Sequence, residues 1–273
     1  MLAGQRQNLI LEAVNRNGGA KVSDLVELLG VSDMTVRRDI TVLDRRGLVA
    51  RVHGGATAVD RRSTEEPGFA VKSGLQTVEK AGIAALAASL VKPGDSVALS
   101  AGTTTYQIAL ELSSVPDLTV VTNSVPVAET LHRAAHSDMT VVLTGGVRTP
   151  SDALVGPVAV AALRTLNVDW LFLGVHGFEE RAGLTTPNLV EAETNRALID
   201  SARRVVVAAD STKWGVVGLS SIARLNEVHY LVTDDGLDPE ARRALQSHVG
   251  TLMMAHVEAS AHGLADNDGG VAG

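Results

Sequence analysis

The stretch Gly-Val-Ser-Asp-Met-Thr-Val-Arg-Arg-Asp-Ile-Thr-Val-Leu-Asp-Arg-Arg-Gly-Leu-Val-Ala-Arg-Val-His-Gly-Gly-Ala, residues 30–56, decides how this chain is read. Wound at about 100° per residue, it sets Val36, Ile40 and Leu43 on one face and Met34, Arg38, Thr41 and Arg45 on the other. One face can pack while the other meets a groove. Ser32 stands where a hydroxyl can accept an amide of the first turn, and Gly47 stands where a left-handed stop is expected. The spacing therefore predicts a helix over 33–46.

Upstream, Val22, Leu25, Val26 and Leu29 give a short amphipathic helix from about Ser23 to Gly30, and a Gly-Val-Ser turn separates it from the next. That is the spacing of a helix-turn-helix. A helix over about 5–16 adds Leu9, Ile10, Ala13 and Val14 to a three-helix core. Downstream, residues 48–52 read as a strand, His53-Gly54-Gly55 as a turn needing positive backbone angles, and 56–59 as the returning strand of a wing. The predicted duplex-DNA interface is Ser32, Met34, Thr35, Arg37, Arg38, Thr41, Arg45, Arg51 and His53. Met34, Arg38 and Thr41 lie opposite the core stripe and are expected to read bases, whereas Arg37 on the flank is expected to grip phosphate. Charge agrees: residues 1–62 carry a net +3 and the remainder −10, within a total of −7.

At 273 residues the chain is long enough for two domains. It shows no basic-then-apolar leader, and no apolar run approaches the roughly 18 residues of a bilayer span, so a cytoplasmic protein is expected. Zero cysteines exclude disulfides, thiolate metal sites and cysteine nucleophiles. Aromatics make up only 3%, which disfavours the stacking platforms of single-strand or RNA binders. A pI near 5.6 argues for local, dimer-organised DNA contact rather than indiscriminate binding.

Residues 60–68 are charged, polar and broken by Pro67-Gly68, as in a linker. Beyond them helical and extended patterns alternate: helices at about 79–91, 104–113, 126–135, 157–166 and 189–201, and strands at 96–99, 118–122, 139–143, 170–174, 205–208 and 228–232. Such alternation predicts a parallel sheet covered on both faces, with ligand beyond the carboxyl ends of its strands. Ser100-Ala-Gly102-Thr103-Thr104 opens a helix after the first of these strands and forms a candidate anion site from amides and hydroxyls. Neither a Walker loop nor a dinucleotide fingerprint is present. Other strand ends bring Asn123, Gly145, Gly146, Arg148, Glu191, Asp210 and Lys213, which can bind a polyol or serve proton abstraction beside a carbonyl. His132 and His136 have helical i,i+4 spacing, yet no third metal ligand is evident.

Both halves resemble one family. Val22-Ser-Asp-Leu, Thr35-Val-Arg-Arg-Asp and His53-Gly-Gly-Ala are similar to the helix-turn-helix of DeoR-type transcriptional regulators. Gly102-Thr-Thr, Val121-Thr-Asn-Ser, Gly145-Gly-Val-Arg, Leu154-Val-Gly, Leu171-Phe-Leu-Gly, Gly183-Leu-Thr-Thr, Glu191-Ala-Glu, Ala209-Asp-Ser-Thr-Lys and Leu231-Val-Thr-Asp resemble its sensor domain. The resemblance implies a sensor related in fold to ribose-5-phosphate isomerase, a phosphorylated-sugar effector and repression of sugar-metabolism genes. It places Gly102, Thr103 and Thr104 in a phosphate loop, Arg148 in the effector cleft, and Asp210 and Lys213 in an isomerase-like polar cluster. Two positions depart from the pattern: Ser100 stands where many members have Asp, and Asn195 where Lys is usual.

The expected organisation is a winged helix-turn-helix at 1–59, a linker at 60–74, an α/β parallel-sheet sensor at 75–258 and a disordered tail at 259–273. The expected partners are a DNA operator, a phosphorylated sugar and further copies of the chain, with no cofactor, metal, membrane or catalytic residue. The competing readings are a sugar-phosphate isomerase-like enzyme and a transcriptional activator.

Overall fold

Within residues 3–45, three helices close around one small apolar core. In a computed structural model that describes residues 2–45, 48–57, 68–134 and 138–256, the chain begins with α1 (Ala3–Asn17), β1 (Gly19–Lys21), α2 (Val22–Leu29), α3 (Asp33–Arg45), β2 (Ala50–Val52) and β3 (Gly55–Thr57). Ile10 and Val14 of α1, Leu25 and Leu29 of α2, and Val36, Ile40 and Leu43 of α3 are buried together, as the helical spacing requires. The wing is a three-stranded antiparallel sheet in the order β1-β3-β2. β1 has no counterpart in the sequence reading, because three residues are too short to show a period of two. The wing turn takes a positive φ only at Gly54 (+83°). Arg46, Gly47 and residues 58–67 lie outside the described residues, so the stop at Gly47, the outer end of the returning strand and most of the expected linker do too. The last part of that linker is ordered as a short helix, α4 (Phe69–Lys72).

There follow α5 (Thr77–Ala88), β4 (Ser96–Leu99), α6 (Thr103–Leu112), β5 (Thr119–Thr122), α7 (Val125–Ala134), β6 (Thr140–Leu143), β7 (Val147–Arg148), β8 (Leu154–Val155), α8 (Pro157–Leu163), β9 (Val168–Leu173), β10 (Gly177–Glu179), β11 (Gly183–Thr186), α9 (Leu189–Asp200), β12 (Ala202–Ala208), β13 (Ser220–Ala223), β14 (Tyr230–Asp234), α10 (Pro239–His248) and β15 (Thr251–Ala255). Seven strands form one sheet in the order β15-β14-β12-β9-β4-β5-β6, with every pairing parallel. Alternate residues feed opposite faces. Val97, Leu99, Trp170, Phe172, Val206 and Ala208 pack against α5, α6 and α7, while Ala98, Leu171, Leu173, Val205 and Val207 pack against α8, α9 and α10. The central strands β4, β9, β12 and β14 are buried on both faces, which is why they read as apolar runs, whereas the edge strand β6 is largely exposed. Two small antiparallel sheets, β10-β11-β13 and β7-β8, sit beside the main sheet and were not legible in the sequence.

Chain order along the sheet reverses between β4 and β9: β4, β5 and β6 run one way, and β9, β12, β14 and β15 the other. Such a reversal opens a crevice at the strand carboxyl ends, because the connecting loops diverge to opposite faces. No helix of the described residues is long and apolar enough to cross a membrane. The expected tail at 259–273 and His136 fall outside the described residues.

Candidate functional site

The outward face of α3 is built by its inward one. Asp39 is buried on the core side, where it accepts from Arg6 Nε (2.8 Å) and Gln7 Nε2 (3.1 Å) of α1. This pair fixes the rotation of α3 about its axis and so fixes which side chains project. Ser32 Oγ accepts from the Thr35 amide (3.3 Å) and lies 2.9 Å from Thr35 Oγ1, closing the first turn. Met34 is 81% exposed, and Arg37, Arg38 and Arg45 also face outward. Arg37 is held along the helix by Asp33 (Nε–Oδ1 2.5 Å, Nη2–Oδ2 3.2 Å), whose hydrogen bond and charge raise the guanidinium pKa. Arg38 and Arg45 have no ion pair among the described residues. Thr41 is half-buried, and its hydroxyl donates to the Arg37 carbonyl (2.8 Å), which ties down an expected base reader. Arg51 of the wing donates its amide to Asp44 Oδ1 (3.0 Å) and its guanidinium to Thr41 Oγ1 (3.4 Å), locking wing to helix. His53 is exposed at the wing tip.

At the reversal point of the sheet lies a cleft lined by the loops after β4, β9 and β12. Its floor is the amino end of α6. Gly102 caps that helix with φ +155°, a conformation closed to residues with a Cβ, and a Cβ there would also sit 3.2 Å from Thr105 Oγ1. Among the described residues no side chain caps the first amides of α6, and Thr103 and Thr104 are nearly buried beside them at the cleft wall. Amides at a helix amino end, unshielded by a cap, favour an anion. Opposite them stand Asp210 and Lys213 from the turn after β12 and Glu191 and Asn195, one helical turn apart on α9.

The surroundings hold these groups in place. Asp234, at the end of β14, accepts from the amide (2.6 Å) and hydroxyl (2.7 Å) of Ser211 and so fixes the turn carrying Asp210 and Lys213. Asp210 is buried and accepts from Thr212. Glu191 Oε1 accepts from Ser151 (3.0 Å) and Oε2 from Thr186 (3.0 Å), while Asn188 caps α9 beneath it.

Of the eleven residues predicted for the effector, six line this cleft: Gly102, Thr103, Thr104, Glu191, Asp210 and Lys213. Ser100 and Asn123 are buried behind it as supports. Ser100 Oγ accepts from the Gly174 amide (2.9 Å), and Asn123 joins the Ala101 amide (3.0 Å) to the Leu154 carbonyl (3.1 Å). Gly145, Gly146 and Arg148 lie elsewhere. Gly146 is packed against Val155, and Arg148 is exposed and paired with Asp152 (2.8 Å), outside the cleft lining. Arg148 sits on the short β7-β8 hairpin, whose loop residue Ser151 does line the cleft. Sequence reasoning missed Phe69, Lys72, Gln76, Lys80, His176 and Thr186, which also line the cleft. Lys80 left a signal. It shares the buried face of α5 with Ile83, Ala84 and Ala87, an unusual place for a lysine.

Comparison with known proteins agrees across both halves. Residues 6–62 match the DeoR-like helix-turn-helix domain, and residues 75–235 match the DeoR C terminal sensor domain. An HTH-type transcriptional regulator of Escherichia coli K12, YgbI, is 37% identical over 94% of this chain and 100% of its own length. The HTH-type transcriptional regulator GlpR of Haloferax volcanii is 36% identical over 90% of this chain and 96% of its own. The transcriptional repressor AccR of Agrobacterium fabrum is 34% identical over 85% and 89%. Among solved structures, ribose 5-phosphate isomerase A of Methanocaldococcus jannaschii aligns with a TM-score of 0.37 and 19% identity over 50% of this chain and 53% of its own. A winged helix with an ordered, arginine-bearing outer face, a sensor sheet with a cleft at its reversal point, and the match of both halves make the chain a member of the DeoR family of transcriptional regulators.

Proposed function

We propose that this regulator is a cytoplasmic repressor of carbohydrate-metabolism genes that binds its operator as a homo-oligomer and releases it when a phosphorylated sugar fills the sensor cleft. The observation that carries this reading is the uncapped amino end of α6 facing Lys213, with Asp210, Glu191 and Asn195 on the opposite wall. Amides, threonine hydroxyls and a lysine suit a phosphate, and the carboxylates and Asn195 amide suit sugar hydroxyls. Glu191 accepts a hydroxyl on each oxygen, an arrangement that suits holding a polyol rather than taking a proton in turnover. The repressor AccR, similar over most of its length, supports the regulatory sign.

A duplex selected by the chain from a random pool supplies the operator probe, and a panel of pentose and hexose phosphates supplies the ligands. One phosphorylated sugar is expected to raise the melting temperature and lower duplex affinity about 5- to 150-fold, the usual range of allosteric coupling. In Lys213→Ala, the concentration of that sugar needed for release is expected to rise at least roughly tenfold, since a charge-assisted contact is lost. Release at the wild-type concentration would remove Lys213 from the site. Steady conversion of the sugar phosphate in a coupled assay would turn the reading toward an isomerase.

A further inference from the structure

Lys80 lies between the cleft and the DNA-binding domain. It sits in the second turn of α5, only 5% exposed, and its Nζ donates to the carbonyls of Lys72 (2.6 Å) and Leu75 (2.5 Å). Those carbonyls belong to the turn joining α4 to α5. The same turn is seated on the winged helix: Leu75 packs against the core of Ile10, Leu43 and Leu48, and the Gly74 carbonyl accepts from Asn8 Nδ2 of α1 (2.6 Å). At its other end the turn meets the cleft, where Phe69 stacks edge-on against Tyr106 of α6 (5.7 Å) and lines the wall with Gln76. Gln76 adopts a left-handed backbone (φ 46°, ψ 46°), which is strained for a residue with a Cβ and marks the joint at which the turn meets α5.

We propose that Lys80 is the latch between the two domains: it holds the 72–76 turn against the winged helix until the anionic group of a phosphorylated ligand at the amino end of α6 draws its ammonium away. The proposal rests on the effector reading above, and it assigns that site its means of control. A ligand shifts a conformational equilibrium only through contacts that differ between the two states. Here the difference is one ammonium with two sets of acceptors: two neutral carbonyls in one state and a phosphomonoester in the other. A dianion is the better partner for a buried ammonium. Burial lowers the Lys80 pKa to about 8, with Asp210 opposing that shift and Lys213 and Lys72 adding to it, so the latch carries its charge at neutral pH. Once it lets go, the Lys72 and Leu75 carbonyls lose their shared donor and the seat of Leu75 and Gly74 loosens.

The test uses the full chain, the selected duplex and inorganic phosphate or the sugar-phosphate panel. Lys80→Met is expected to behave as a permanently released protein, with duplex affinity reduced about fivefold or more without ligand and no further fall with it. Wild-type affinity with wild-type release would overturn the latch. Wild-type affinity with no release would overturn it too, by making Lys80 a ligand contact only. Hydrogen exchange on the wild-type chain gives a reading independent of any variant's folding. Amides of residues 69–76 are expected to exchange faster when inorganic phosphate or a sugar phosphate saturates the chain, and unchanged or slower exchange would overturn the proposal. If no sugar phosphate binds, the effector reading fails, while the duplex affinity of Lys80→Met still decides whether Lys80 holds the turn.

Discussion

Two buried charges do more to set this molecule's geometry than their exposed neighbours. Asp39 lies within the run of Thr35-Val-Arg-Arg-Asp39, and the sequence shows it only as part of a motif; the structure shows it facing inward to Arg6 and Gln7. Asp39→Ala would leave the Arg6 guanidinium, 16% exposed, without its carboxylate. Removing one member of such a pair costs about 3 to 5 kcal/mol when fully buried, so a loss near the lower figure is expected in denaturant titration, together with weaker duplex binding. A stability change below about 1 kcal/mol would show that the pair does not set the rotation of α3. Lys80 makes a second prediction. Its folded pKa, about 8, lies below its ordinary value of 10.5, because burial disfavours the charge, with Lys213 and Lys72 adding to the repulsion and Asp210 and Glu79 offsetting it. The unfolded chain therefore holds this proton more tightly between those two values, and the group's contribution to stability rises with pH across that window. The melting temperature of wild type relative to Lys80→Met is expected to climb from pH 8 to pH 10, and a flat difference would contradict the burial. The role of Asp39 was not legible beforehand, because whether a charged residue faces core or solvent depends on which helix covers it, whereas Lys80 left a signal in the apolar face it shares with Ile83, Ala84 and Ala87.

At the scale of elements, periodicity carried most of the reading. Val36, Ile40 and Leu43 are the buried stripe of α3, and the strands at 96–99 and 119–122 fall where apolar runs placed them. What escaped was short or non-local. β1 and the β7-β8 hairpin are two or three residues long, and the β10-β11-β13 sheet is defined by pairing across about forty residues rather than by local pattern. On this hairpin Arg148 is paired with Asp152 and is not among the residues that line the cleft, whereas Ser151 is. On α3 the three expected base readers divide: the Thr41 hydroxyl is held by its own helix, while Met34 and Arg38 project outward together with Arg45. Arg38→Ala is expected to weaken duplex binding by about 1 to 3 kcal/mol if it reads a base, with relaxed preference at one position of the selected site. A uniform loss with a salt slope shallower by about one would reassign it to phosphate. Unchanged binding across a salt series would remove it from the interface.

At the scale of the whole molecule, the winged helix and the sensor sheet have separate apolar cores and share the turn between α4 and α5. Leu75 is packed in one core while Phe69 and Gln76 face the other domain's cleft. That sharing was invisible in the sequence, where Phe69 fell in the expected linker at 60–74 and Leu75 and Gln76 at the start of the expected sensor domain. The fold class itself was legible, because alternating helices and doubly buried strands admit few arrangements. We propose that occupancy of the cleft at the reversal point controls the grip of α3 on DNA. The most direct measurement is the affinity of the wild-type chain for its selected duplex, read by fluorescence anisotropy with each sugar phosphate and with its unphosphorylated parent. One phosphorylated sugar is predicted to weaken binding by about 5- to 150-fold while its parent sugar has no effect. A sugar phosphate that binds, as seen by a raised melting temperature, yet leaves duplex affinity unchanged would contradict the account.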